Sequence, residues 1–231
     1  MNSSQAANRP PHRPLDHEDA LVSTSWLAER LHQAGIRVLD ASWYLPQMKR
    51  DAKAEYLGGH IPGACFFDID EIADRQSPLP HMMPDAAAFA RAVETLGVSY
   101  DHRVVVYDGS GGNLSAARVW WMFRFFGHDD VAVLDGGMKK WLAEQRPLEQ
   151  IPPPPGKGQF TARPRPAMLR NLAAMQRNLD DHREQVVDAR SSGRFQGLEP
   201  EPRAGLRPGH IPGSRNLPFS EIGRASCRER V

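Results

Sequence analysis

Apolar positions along this chain follow two rhythms that alternate from residue 21 onward. In "VSTSWLAERLHQAG" the apolar side chains of Trp26, Leu27 and Leu31 share one face. Ser23 or Thr24 supplies an N-cap and Gly35 a stop, so the spacing predicts a helix. "IRVLDA" then reads as a strand. "PDAAAFARAVETLGV" is a second amphipathic helix, and "RVVVYD" is the continuous apolar run of a strand buried on both faces. Next comes "GSGGNLSAARVWWMFRFFG", a Gly-rich turn opening into a helix that is apolar nearly all round. Its stripe "VWWMFRFF", interrupted by Arg124 and ended by Gly127, suits a packed core helix better than a membrane surface. "VAVLDGGMKKWLAEQRPL" repeats strand, Gly turn and helix. Alternation of this kind predicts an α/β fold with a mainly parallel sheet and helices on both faces.

Residues 1–20 lack periodicity, contain proline, and are expected to form a mobile arm. Residues 21–146 form a first domain. Between Pro147 and Pro166, seven prolines and no periodic pattern predict an extended, semi-rigid linker rather than core. Beyond it, "MLRNLAAMQRNLDDHREQVVDARSSGRF" restarts the order of helix then strand. "VLDA" at 38–41 returns as "VVDA" at 186–189, and "GHIPGACFFDI" at 59–69 returns as "GHIPGSRNLPF" at 209–219. The offset is 148 from Asp40 to Asp188 and 150 from Gly59 to Gly209. Two tandem copies of one α/β unit are therefore expected, the second (167–220) holding only its N-terminal part. "EIGRASCRERV" is similar to the in-frame translation of a sequencing adapter, so 221–231 is set aside as a non-native tail.

Charge narrows the function classes. Lys and Arg number 29 against 28 Asp and Glu, a formal net charge of +1. That gives no global field for nucleic acid or an anionic membrane. With neither a signal-like apolar run nor a membrane span, the chain reads as a cytoplasmic protein. Two cysteines, Cys65 and Cys227, supply neither a disulfide framework nor a closed zinc site. The nine histidines are scattered along the chain, and no metal and no cofactor is assigned.

The end of "RVVVYD" is where chemistry is expected, because ligands of open α/β sheets sit at carboxyl ends of strands, against helix N-termini. Asp108 holds the first loop position there and reads as a turn or capping carboxylate, with Arg118 as its candidate partner. "GSGGN" lacks the Lys-Ser/Thr of a nucleotide loop. Adding 150 to Asp108 puts the same junction of the second copy at about position 258. Cys227 lies fourteen residues after Gly213, whereas Asp108 lies forty-five after Gly63, so no strand and helix fit before it. Cys227 is read as catalytically irrelevant. Cys65, between "GHIPGA" and "FFDI", is read as core filler. His60 and His210 occupy equivalent repeat positions and suggest a shared turn-stabilising hydrogen bond.

From about Val22 to Phe219 the chain resembles the tandem-rhodanese sulfurtransferases, the family of thiosulfate and 3-mercaptopyruvate sulfurtransferases. The resemblance rests on "VLDASWYLP", "GHIPGACFFDID", "SPLPHMMP", "VVVYDGSGGNLSAARVWWMFRFFGH", "VLDGGMKKWL", "VVDARSSGRFQGLEPEPRAGLRPGHIPGS" and the linker position. It implies two rhodanese domains, the first catalytically silent, with Asp108 where a nucleophile would stand. The second domain of the family carries a "C-x-x-G-V-[TS]" loop whose Cys forms a persulfide, and that loop is not in this sequence. Arg194 in "GRFQG" and Arg203 in "EPEPR" match the family's positions for binding a small anionic sulfur donor, and are expected on the polar loop after "QVVDA". The second arginine favours 3-mercaptopyruvate over thiosulfate. A thiol, cyanide or thioredoxin is the implied acceptor. The chain by itself is expected to be inactive and poorly stable, with a proteolytic product ending near residue 146.

Two rival readings differ in class. A non-catalytic rhodanese-type module would sense an anion or a partner protein. A Cys-dependent phosphatase of related topology would need a nucleophile after "RVVVYD", where Asp108 stands.

Overall fold

The computed structural model describes residues 20–112, 114–203 and 205–221. The expected arm and the tail with Cys227 lie outside these residues, apart from Ala20 and Glu221. The described chain divides into two compact units on either side of Arg165 and Pro166.

The first unit is built on a five-stranded sheet of β1 (Leu21–Val22), β2 (Ile36–Asp40), β3 (Cys65–Phe66), β4 (Arg103–Tyr107) and β5 (Val131–Leu134). Their order is β1-β5-β4-β2-β3, and every pairing is parallel. Its helices are α1 (Thr24–Ala28), α2 (Ala52–Gly58), α3 (Ala86–Thr95), α4 (Leu114–Phe125) and α5 (Gly137–Ala143). β4 is the central strand, and Val104 to Tyr107 are all fully buried, as a run covered on both faces requires. One face packs Val38, Val105, Tyr107, Ala132 and Leu134 against Leu27 of α1 and Trp141 of α5. The alternate residues meet α4, which packs on β4 and β5. There Phe123 of α4 and Phe126 just after its end lie 5.3 and 4.2 Å, between ring centroids, from Phe89 of α3.

Two expectations change here. The first helix does not run to Gly35. Ser23 caps it as expected, but it stops at Ala28. The Arg30 side chain donates to the Trp26 carbonyl, while the Arg30 amide turns to Leu27 (3.0 and 2.9 Å), and the chain continues in turns. The second change concerns residues 147–166. Up to Arg165 they are extended, yet they are part of the first unit's packing rather than a free spacer. Proline has no N–H, so the segment donates from its other residues: Gly156 to Thr95 O, Gly158 to Glu94 O, Arg163 to Phe126 O and Arg165 to Phe125 O, at 2.7–2.9 Å. Phe160, only 5% exposed, inserts between Phe89, Phe123 and His128. Arg165 closes the segment with a two-pronged pair to Asp129 at 2.6 and 2.7 Å.

The second unit contains α6 (Leu172–Asp181), β6 (Val187–Asp188), α7 (Ser192–Gln196) and β7 (Arg215–Asn216). Its two strands pair in parallel with Val187 opposite Arg215 and Asp188 opposite Asn216. In the first unit, Leu39 faces Cys65 and Asp40 faces Phe66. These registers differ by the offsets of 148 and 150 that the repeat predicts. Among the unit's described residues only Pro218 is buried, while Leu172, Val187, Leu198, Leu206 and Phe219 are exposed.

Candidate functional site

β4 delivers Asp108 to the start of the loop before α4, fully buried. Its carboxylate is taken up by the loop itself. Oδ1 accepts from the Ser110 amide (2.9 Å) and hydroxyl (2.6 Å). Oδ2 accepts from the Ser115 hydroxyl (3.2 Å) and the Ala116 amide in the first turn of α4 (3.0 Å). Donors that a strand-to-helix junction would turn toward a bound anion are thus satisfied by an internal one. The capping reading of Asp108 holds; its pairing with Arg118 does not. Nearer loop donors fill the carboxylate, and Arg118 instead donates to the His81 carbonyl (2.8 Å) and lies over Trp121.

A cavity of about 520 Å³ opens beside this loop, lined by Ser42, Tyr44, Arg50, Glu55, Ser110 and Lys139 among others. Its polar groups are mostly bound to one another. Ser42 Oγ accepts from the Gly109 amide (2.9 Å), and Arg50 donates to the Gly109 carbonyl (3.1 Å) and twice to Glu55 (2.8 and 2.6 Å). Tyr44 adds its hydroxyl to Glu55 (2.7 Å). The Arg50 guanidinium holds the Glu55 carboxyl below the usual range, while burial and Glu55 push the Tyr44 hydroxyl well up. Among the described residues no thiol lines this space. Cys65 sits on β3, half-buried, and burial raises its thiol, the opposite of what a nucleophile needs.

One cluster escaped sequence reasoning. Asp70 accepts from Trp43 Nε1 (3.0 Å) on one oxygen and contacts His81 Nε2 (2.6 Å) on the other. His81 has φ of 58°, a left-handed backbone unusual for a residue with a side chain, and Arg118 holds its carbonyl. Only "FFDID" and "SPLPHMMP" pointed to it, and neither shows that the two segments meet.

In the second unit, the loop after β6 gathers four charges. The Asp188 carboxylate accepts from the Arg190 amide (2.9 Å), from Arg190 Nε (3.0 Å) and from Nη2 (2.5 Å). Arg190 also reaches the Gly209 carbonyl (2.7 Å) and Glu201 Oε1 (2.6 Å). The other Glu201 oxygen takes Nη2 (2.5 Å) and Nε (3.2 Å) of Arg194. The Glu201 side chain is only 4% exposed. Arg190 holds Asp188, and Arg194 holds Glu201, below the ordinary carboxylate range. Of the two expected donor residues, Arg194 lies on α7, a helical turn capped by Ser191, rather than on irregular loop. Arg203 is exposed, two residues past Glu201. Arg190 and Glu201 were not foreseen. The repeat does appear in the histidines: His60 Nδ1 meets the Tyr56 carbonyl at 2.8 Å with the rings stacked, and His210 meets Phe195 in the same way at 2.7 Å. Among the described residues no metal-ligating group of His, Cys, Asp and Glu gathers, and no helix is long and apolar enough to cross a membrane.

A parallel sheet in this order, whose central strand ends in an anion-cradling loop, defines a rhodanese-like domain, and the family model described as "Rhodanese-like domain" matches residues 23–144. The chain is 51% identical over 208 residues to 3-mercaptopyruvate sulfurtransferase of Rattus norvegicus, covering 88% of this chain and 70% of that protein. It is 50% identical over 206 residues to thiosulfate sulfurtransferase of Bos taurus, covering 87% and 69%. Among solved structures, SseA from Escherichia coli, a 3-mercaptopyruvate sulfotransferase, superposes with a TM-score of 0.79 at 39% identity, covering 87% of this chain and 76% of that one. The chain belongs to the tandem-rhodanese sulfurtransferases, an enzyme family that includes the 3-mercaptopyruvate and thiosulfate sulfurtransferases.

Proposed function

We propose that this protein binds 3-mercaptopyruvate as its sulfur donor, through Arg194 and Arg203, and that sulfur passes by way of a cysteine persulfide to a thiol, cyanide or thioredoxin. In that chemistry a thiolate attacks the donor sulfur. The S–S bond forms as the donor's C–S bond breaks, the departing enolate takes a proton to become pyruvate, and the persulfide loses one. An acceptor thiolate then attacks the outer sulfur and releases the cysteine. Guanidiniums hold the donor's carboxylate in paired hydrogen bonds, so that the sulfur is presented in one orientation.

The observation that carries the reading is Arg194 at the carboxyl end of β6, on a capped turn and oriented by Glu201. The thiol is a separate requirement. Cys65 is a half-buried residue of β3, and Asp108 stands at the strand-to-helix junction of the first unit. The 231-residue chain by itself is therefore proposed to bind donor without turning it over. The self-satisfied Asp108 loop also favours a second reading, that the first unit is a non-catalytic module.

The test is cyanide-dependent thiocyanate formation from 3-mercaptopyruvate by the purified chain, together with calorimetric binding of pyruvate. Pyruvate binding that is lost in Arg194→Ala, with no thiocyanate, is expected. Thiocyanate formation above the rate of the Cys65→Ala, Cys227→Ala double variant would overturn the inactivity, and binding indifferent to Arg194→Ala would overturn the donor site.

A further inference from the structure

We infer that residues 151–157, "IPPPPGK", form a docking ridge for a partner protein whose aromatic-lined groove reads a polyproline II chain and carries an acidic site for Lys157 at one end. The inference is independent of the donor site. Proline fixes φ near −65°, and a residue that precedes proline is pushed to extended ψ, so Pro152, Pro153 and Pro154 are each constrained twice toward polyproline II. Burial along the segment repeats with the three-residue period of that helix. Pro153 and Gly156 are half-buried, whereas Ile151, Pro154 and Lys157 make one exposed row and Pro152 and Pro155 another. Gly156 lies so close to the fold that a Cβ there would meet Gly97 Cα at 2.1 Å. The ridge is clamped at both ends. Glu149 and His60 exchange two backbone hydrogen bonds (2.9 and 2.8 Å), and the Gly156 and Gly158 amides donate to the Thr95 and Glu94 carbonyls (2.9 Å each). Between the clamps, among the described residues, no donor takes a carbonyl of 151–155.

Two of the three rows and a run of free acceptors are therefore open to a partner. Ile151-Pro152 and Pro154-Pro155 stand about 9 Å apart as two like pairs, the repeat that grooves of this kind accommodate. Ile151 is 83% exposed, an apolar side chain that its own fold leaves in water. Because the clamps hold the segment extended before any partner arrives, binding costs little further ordering. Lys157 is exposed and has no carboxylate partner among the described residues. Its ammonium, two residues past the last proline, gives the ridge a direction and calls for a carboxylate at that end of the groove.

The experiment titrates an isotope-labelled SH3 domain selective for P-x-x-P-x-K ligands with the full chain, and with the free peptide of residues 149–159 for comparison. NMR shifts confined to the domain's aromatic groove and acidic pocket are expected, with the full chain binding at least as tightly as the peptide. Pro155→Ala should weaken binding about tenfold, and Lys157→Glu at least about fivefold. Pro153→Ala, in the row that faces the chain's own fold, should stay within about twofold of the parent. Tryptophan fluorescence of each variant checks that the first unit remains folded. Binding of the peptide without binding of the full chain would show the ridge to be covered and overturn the inference, as would the absence of groove shifts with both. Equal losses in Pro153→Ala and Pro155→Ala would overturn it too, because the exposed rows would then not be what the groove reads.

Discussion

Asp108→Ala would test whether the loop after β4 is held by its own carboxylate. The substitution removes the acceptor for two amides and two hydroxyls. The hydroxyls of Ser110 and Ser115 can rotate to other partners, and the Ser110 amide lies in a half-exposed residue that water can reach. The Ala116 amide is different, because Ala116 is fully buried. Leaving that donor orphaned costs about 2 kcal/mol, and the half-exposed amide about 1, for an expected loss of about 3 kcal/mol. Asp108→Asn keeps one acceptor and should lose about half as much. The assay is urea unfolding followed by tryptophan fluorescence, which reports the first unit alone because Trp26, Trp43, Trp120, Trp121 and Trp141 all precede Arg165. At an m of about 1.5 kcal/mol per molar, the midpoint should fall by about 2 M. A loss below about 1 kcal/mol in the Ala variant would refute the idea that this carboxylate organises the loop.

Phe160→Ala should destabilise the first unit by about 3 kcal/mol in the same assay, since it empties a site among Phe89, Phe123 and His128. Limited proteolysis should yield a product ending near residue 165 rather than near 146, because residues 149–165 are hydrogen-bonded into that unit. Gly158→Ala should expose this segment to cleavage, since a Cβ there would lie 2.0 Å from the Val98 carbonyl oxygen. Burial holds the His128 and His102 imidazoles below their usual pKa, so their stabilising contribution is complete above about pH 6.5 and declines below it. The unfolded chain takes up protons there that the folded chain refuses, and the loss continues until the depressed folded values are reached. Stability between pH 6.5 and 5 should therefore fall less steeply in His128→Gln than in the parent, by up to about 1.4 kcal/mol per pH unit.

Local regularities were legible because they depend on neighbours a few residues away. The periodicity of apolar residues located the cores of β2, β4 and β5, and the capping side chain of Ser23 started α1. The repeat offsets of 148 and 150 recur in the strand registers of the two units. Asp108 was recognisable as a cap since its partners lie within eight residues. Phe160 was misjudged because seven prolines announce an extended chain without saying what it lies against. The partners of charged side chains were equally hidden, with Arg118 meeting His81 thirty-seven residues away and Arg190 meeting Glu201 eleven away.

By itself, then, the sequence determined the order of elements, their duplication and the residue types at the strand ends, all of which follow from short-range backbone preferences and the period of apolar side chains. Which carboxylate neutralises which arginine, and whether a proline-rich stretch lies in water or on a core, was decided only by the tertiary structure. Such pairings arise between loops that folding brings together, and their strength depends on how much water the surrounding side chains exclude.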